Sequence, residues 1–180
     1  YPNSQVNVKE EQSAVLVDMV RSGEIDSAIL ALPYPCDGLL TIEFHQEDFY
    51  WITTTGQEPK NINEIKSEDI NSDELLLLKE GHCLKDHILD ACKFNNDSDS
   101  QRLDATSLHT LVQMVKANLG STLVPAMSLS QLVDKDDDLT AVHLNEPSPH
   151  RRLAFIMRPN FTRMSSIEAL KNVCSEALTN

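Results

Sequence analysis

The chain has 180 residues, 41% apolar and 24% charged, the proportions of an ordinary globular protein able to bury its own core. A formal net charge of -13 sets it against a phosphate backbone, whose binding relies on Lys and Arg displacing counterions, so DNA contact is expected only from another segment. No apolar run nears the roughly 18 residues of a membrane span and no signal peptide opens the chain; with four cysteines, too few for a disulfide scaffold, a reducing cytoplasm is the expected compartment.

Residues 5–9 alternate polar and apolar, the pattern of a half-buried strand. Ser13 is placed to cap a helix whose Leu16, Met19 and Val20 share a face, and Gly23 to end it. A strand follows over 25–32, then a turn marked by Pro33, Pro35 and Gly38, then strands over 40–44 and 49–53 parted by a polar, hinge-like stretch at 45–48. Ile62 and Ile65 read as a short helical turn, and Leu75 to Leu78 as a strand buried on both faces. A helix is expected over 83–94, a polar loop over 95–101, and a helix capped by Thr106 or Ser107 that carries Leu108, Leu111, Val112 and Val115. Strands at 122–124 and 141–144 flank a charged loop at 134–138. The tail reads as a strand over 153–157 and a helix opened by a Ser165/Glu168 capping box, with Ile167, Leu170, Val173, Cys174 and Ala177 on one face. Alternating strands and helices argue for α/β units around mostly parallel sheets.

Chemistry concentrates at Gly81-His82-Cys83-Leu84-Lys85-Asp86-His87, with Cys92 nine residues after Cys83. A thiol at a helix start, beside an imidazole, has its thiolate favoured by unpaired N–H groups and the helix dipole. Nine residues of α-helix separate two Cα atoms by about 13.5 Å, against the roughly 7 Å that a disulfide tolerates. Helix and disulfide therefore exclude each other, and bonding Cys83 to Cys92 would unwind the segment. Other readings stand beside this one. Taken alone, two such cysteines are more often buried structural residues. Cys83 and His87, at i and i+4, would make half a metal site, with Cys92 on the wrong face. A Cys–His hydrolase would need an oxyanion hole and an orienting residue that the sequence does not display. The acidic stretches at 95–100 and 134–138 lack the turn glycine and closing Glu of calcium loops. Cys174 reads as core, Cys36 has no assigned role, and His45, His109, His143 and His150 read as surface or supporting histidines.

The string from Leu75 through Gly81-His82-Cys83-Leu84-Lys85-Asp86, the spacing to Cys92, and Ala105-Thr106-Ser107-Leu108 after the loop resemble the peroxidatic segment of the OxyR family of LysR-type transcription regulators. Val20-Arg21-Ser22-Gly23-Glu24-Ile25, Leu119-Gly120-Ser121-Thr122-Leu123-Val124-Pro125 and Arg151-Arg152-Leu153-Ala154 resemble the LysR effector domain more generally, so the likeness covers nearly the whole chain. It implies two Rossmann-like α/β subdomains of the periplasmic-binding-protein type II kind, one of residues 1–46 plus 153–180, the other of 47–152 and carrying the redox cysteines. It further implies that Cys83 is peroxidatic and Cys92 resolving, that His82 and Arg152 surround the thiolate, and that Ser13 stands in for a peroxide-contacting Thr. Arg102 and Asp104 depart from the family's pattern. A first strand and an N-terminal winged helix-turn-helix are expected outside this segment.

The resemblance implies a redox-switch regulator in a bacterial cytoplasm rather than an enzyme, with no cofactor and no metal. Its partners would be hydrogen peroxide, a thiol reductant for reset, further copies of the chain (a dimer, or a tetramer of the full protein), DNA through the N-terminal domain, and RNA polymerase, with no membrane. The competing expectations are a LysR-type effector domain binding a small metabolite in the cleft without redox chemistry, and a one-cysteine peroxidase.

Overall fold

The computed structural model describes residues 5–59, 63–79, 83–94 and 104–179. In chain order the elements are α1 (Ser13–Ser22), β1 (Ser27–Leu32), β2 (Leu40–Glu47), β3 (Phe49–Thr54), β4 (Glu64–Ile65) and β5 (Leu77–Leu78). Then come α2 (Cys83–Cys92), β6 (Asp104–Ala105), α3 (Leu108–Lys116), β7 (Thr122–Pro125), α4 (Leu129–Leu132), β8 (Leu139–Leu144), β9 (Arg151–Met157) and α5 (Met164–Thr179).

These elements form two α/β lobes, the architecture expected from the sequence. In the first, β9 lies between β1 and β2 and runs antiparallel to both. The alternation of a strand's side chains explains how one apolar run serves two helices. Ile156 of β9 joins Val17 and Val20 of α1, whereas Phe155 and Met157 join Ile167 of α5. In the second lobe β3 lies between β7 and β8, antiparallel to both, while β4 runs parallel to β8 and β5 parallel to β6. A parallel bridge from Leu75 to Ser121 brings the approach to β5 alongside that to β7. The two backbones come so close there that a Cβ on Gly120 would collide with the Glu74 carbonyl oxygen, which only glycine avoids. Around this sheet, Leu75, Leu77, Ile88, Leu111, Val115 and Leu123 pack into the larger core.

The expectation of mostly parallel sheets is not met: among the described strands only β4 with β8 and β5 with β6 pair in parallel. The strand that enters each lobe from the other, β3 or β9, is inserted amid the strands that share the opposite direction, so most described neighbours are antiparallel. Other expectations change in detail. Residues 5–9 form no strand: no partner strand lies alongside among the described residues, Val6 and Val8 are exposed, and Lys9 reaches Met19 and Glu24. Ile65 lies in β4 rather than in a helical turn, and Ile62 falls outside the described residues. Ser13 is the first helical residue and is buried; the cap position belongs to Gln12, which makes no side-chain cap. Gly23 does end α1, at φ +83°, and Arg158 adds a cation on the Val20 and Ile25 carbonyls at that negative helix end. Ser107 caps α3 as expected. Because α5 starts at Met164, Ser165 lies within its first turn rather than at a cap, and Val173 is half exposed while Leu170 and Cys174 pack inward. No helix among the described residues is long and apolar enough to cross a membrane.

Candidate functional site

Helix α2 begins at Cys83 and ends at Cys92. Its inward stripe, Leu84, Ile88, Leu89 and Cys92, fixes the helix on the larger core by ordinary i, i+4 periodicity. Cys83, at the first position, is half-buried, and Cys92, at the last, is buried. Both are free thiols, one unbroken helix apart. Burial, reinforced by the negative charge of Glu146, pushes the Cys92 thiol up to about 12, so at neutral pH it holds its proton.

The first turn of α2 faces the loop that follows β1. His87, one helical turn beyond Cys83 and only 3% exposed, places Nε2 3.1 Å from the carbonyl oxygen of Pro33. Next in that loop, Tyr34 has its phenol pKa raised by burial first and then by the charges of Cys83, Asp86 and Asp18, which marks it as a neighbour of both helices. Burial lowers the His87 pKa below its usual value; the Pro33 carbonyl opposes this, Arg151 adds to it, and Asp86 and Asp90 oppose it. His87 is therefore a neutral imidazole near pH 7.

Where the chain crosses between lobes, a polar cluster forms. Asp48 accepts hydrogen bonds from Ser148 Oγ at 2.7 Å and from His143 Nε2 at 3.1 Å. The His150 side chain, 0% exposed, accepts the Phe49 N–H on Nδ1 at 2.9 Å and donates from Nε2 to the Glu146 carbonyl at 3.1 Å. Burial works against the Asp48 carboxylate, but Ser148, His143 and His150 together outweigh it and hold its pKa below the ordinary value. Glu47, buried beside this cluster, pairs with Arg151 at 3.6 Å and accepts the Met127 N–H. A cavity of about 610 Å³ opens on this crossover, bordered by His45, Glu47, Asp48, Met127, Ser130 and Ser148.

The residues expected at the site are thus distributed unevenly. Cys83 and Cys92 sit at the two ends of α2. Arg152, on β9, is engaged by Glu43 across the β2–β9 ladder at 3.0 Å, with both side chains about two-fifths exposed. Ser13 is buried at the start of α1. His82 and the loop at 95–101 lie outside the described residues. His87, Tyr34 and Arg151 were not expected to matter together, although the i, i+4 spacing of Cys83 and His87 was visible. His143 and His150 belong to the crossover cluster, which the polar stretch at 45–48 announced only from one side. Among the described residues no group of three or more His, Cys, Asp or Glu is placed to hold a metal ion.

The chain matches the LysR substrate binding domain family over residues 1–179. It is 34% identical over 172 residues to the HTH-type transcriptional regulator EstR of Acinetobacter baylyi, covering 96% of this chain and 57% of that protein. To a probable hydrogen peroxide-inducible genes activator of Streptomyces viridosporus it is 32% identical over 179 residues, covering 99% of this chain and 57% of that protein. A solved structure of a Corynebacterium glutamicum OxyR cysteine mutant, with hydrogen peroxide bound, superposes with a TM-score of 0.88 at 29% identity, over 99% of this chain and 57% of that one. The chain spans somewhat more than half the length of the curated relatives it matches.

Proposed function

Since the chain belongs to the LysR substrate-binding-domain family, we propose that it is the peroxide-sensing regulatory domain of a LysR-type transcription activator, switched by oxidation of Cys83. The observation that carries this reading is the placement of two free cysteines at opposite ends of one ten-residue helix, the half-buried one at its start and the buried one at its end. The Cys83 thiolate attacks one peroxide oxygen, the O–O bond breaks, and a sulfenic acid forms at Cys83 as the other oxygen leaves and is protonated to water. Cys92 sulfur then displaces the sulfenic hydroxyl, which leaves as a second water once protonated, and the Cys83–Cys92 disulfide remains. With Cα atoms about 13.5 Å apart, α2 must unwind for that second step. The raised pKa of Cys92 supports the order: Cys92 is a poor first target and becomes a nucleophile only once the helix opens.

Arg152 and His82 are proposed to favour the thiolate and Ser13 to contact peroxide. The lobes are proposed to divide at residues 1–46 plus 153–180 and 47–152. Refolding of α2 would repack contacts between copies of the chain and so reach DNA through the intact protein's N-terminal domain, in a bacterial cytoplasm, with a small or protein thiol resetting the disulfide and RNA polymerase as a further partner. Turnover is not the purpose, so the protein is a regulator rather than an enzyme.

A second reading, a metabolite-binding effector domain without redox chemistry, is favoured by the crossover cavity and by the match to a substrate binding domain family. Peptide mass mapping after one equivalent of hydrogen peroxide separates the two. A Cys83–Cys92 linked peptide is expected. If both cysteines remain reduced while the protein stays folded, the redox reading fails and the cavity becomes the place to look.

A further inference from the structure

We infer that His87 is a further catalytic residue of the Cys83 reaction, its Nδ1 atom relaying a proton for hydrogen peroxide bound at the first turn of α2. The inference rests on the proposed oxidation of Cys83. Three independent features lead to it.

The first is spacing. Cα–Cβ bonds on a helix tilt toward its N-terminus, so a long side chain covers the turn before its own. His87, four residues after Cys83, therefore lies over the cysteine's turn. The second is the tautomer. Nε2 sits 3.1 Å from the Pro33 carbonyl, and a carbonyl can only accept, so Nε2 carries the ring proton and Nδ1 keeps a bare lone pair. The third is the orphaned acceptor itself. His87 is 3% exposed, yet among the described residues its Nδ1 has no hydrogen-bond partner. Buried polar atoms are nearly always paired, so an empty acceptor one turn from a nucleophile indicates a donor that comes and goes. The group bringing an O–H to that place is the peroxide.

The surrounding charges fit this role. Arg151 reaches the ring's vicinity from β9, Asp86 and Asp90 from α2, and Tyr34 lies beside both Cys83 and Asp86 from the loop after β1. Burial keeps the ring neutral and ready to accept. In the reaction Cys83 gives its S–H proton to water, and Nδ1 takes the proton of the peroxide oxygen that the thiolate attacks. The sulfur electron pair forms the S–O bond as the O–O bond breaks, and the electrons of the broken bond leave on the second oxygen. That oxygen takes the proton from Nδ1 and departs as water, and the sulfenate regains a proton from water. The sum is thiol plus hydrogen peroxide to sulfenic acid plus water: sulfur loses two electrons, peroxide gains them, and His87 ends as it began.

His87→Gln provides the test, because its terminal amide occupies the Nε2 position and can still donate to Pro33 while nothing replaces Nδ1. The rate of Cys83 oxidation by hydrogen peroxide, read by thiol alkylation and peptide mass, should fall about a hundredfold near pH 7, with the gap narrowing as hydroxide replaces the lost base. Equal rates and equal pH profiles in the variant and the unsubstituted protein would overturn the inference. Failure of the unsubstituted protein to oxidise at Cys83 would overturn the proposed function instead. Should His87→Gln not fold, imidazole nitrogen NMR of the unsubstituted protein decides: an unprotonated Nδ1 near pH 7 is expected, and a protonated one overturns the relay.

Discussion

Four thiols share this chain, and their surroundings separate them. Burial pushes Cys92 to about 12 and raises Cys174 above the ordinary value, so neither supplies much thiolate near neutral pH. Cys83 is half-buried at a helix start, the thiol proposed to meet peroxide first. Alkylation of the reduced protein, mapped by peptide over a pH series, should label Cys83 ahead of Cys174 and leave Cys92 for last. Faster labelling of Cys36 or Cys174 near neutral pH contradicts the assignment. Arg152 poses a sharper question, because its guanidinium is already engaged by Glu43. If it nonetheless supports the thiolate, Arg152→Ala should slow peroxide oxidation while leaving the reduced fold intact. An unchanged oxidation rate removes Arg152 from the site.

Helix α2 is the element on which the account turns, and it was legible early. The nine-residue interval between Cys83 and Cys92, with ordinary helix geometry, by itself sets helix against disulfide. The apolar spacing of α3 and the glycine end of α1 were equally plain, because local periodicity and a left-handed residue decide them. Less legible was everything set by partners distant in the chain. The alternation of residues 5–9 imitates a strand, but a strand exists only where another lies beside it. The bond from His87 to Pro33 joins residues 54 apart in sequence, and that from His150 to Phe49 joins residues 101 apart, so no local pattern marks either. Ile88 gives a test at this scale. It is 1% exposed in the larger core, and Ile88→Ala should cost the reduced protein about 2–5 kcal/mol in denaturant unfolding. If oxidation removes that packing, the variant's disulfide becomes harder to reduce, its potential falling by about 30 mV for each 1.4 kcal/mol lost from the reduced form alone. An unchanged potential would mean that α2 keeps its seat after oxidation.

At the scale of the whole molecule, two chain crossings join the lobes, and Asp48 with His143, Ser148 and His150 binds them together. The native environment holds the Asp48 pKa below that of the unfolded chain, so its ionisation stabilises the fold above about pH 4, and the benefit disappears as pH falls through the native value. Asp48→Asn should therefore be less stable than the unsubstituted protein at pH 6, with the difference closing on acidification below about pH 4. A pH-independent difference would show that hydrogen-bond geometry, rather than charge, matters at the crossing.

Helix α2 and a Cys83–Cys92 disulfide cannot coexist. Amide hydrogen exchange of the reduced protein, repeated after one equivalent of hydrogen peroxide, tests it most directly. Formation of the disulfide should be accompanied by loss of protection throughout Cys83–Cys92, with the sheets of both lobes still protected, and Cys92→Ser should block that loss while permitting a sulfenic acid at Cys83. A disulfide that forms while α2 retains its reduced-state protection would contradict the account.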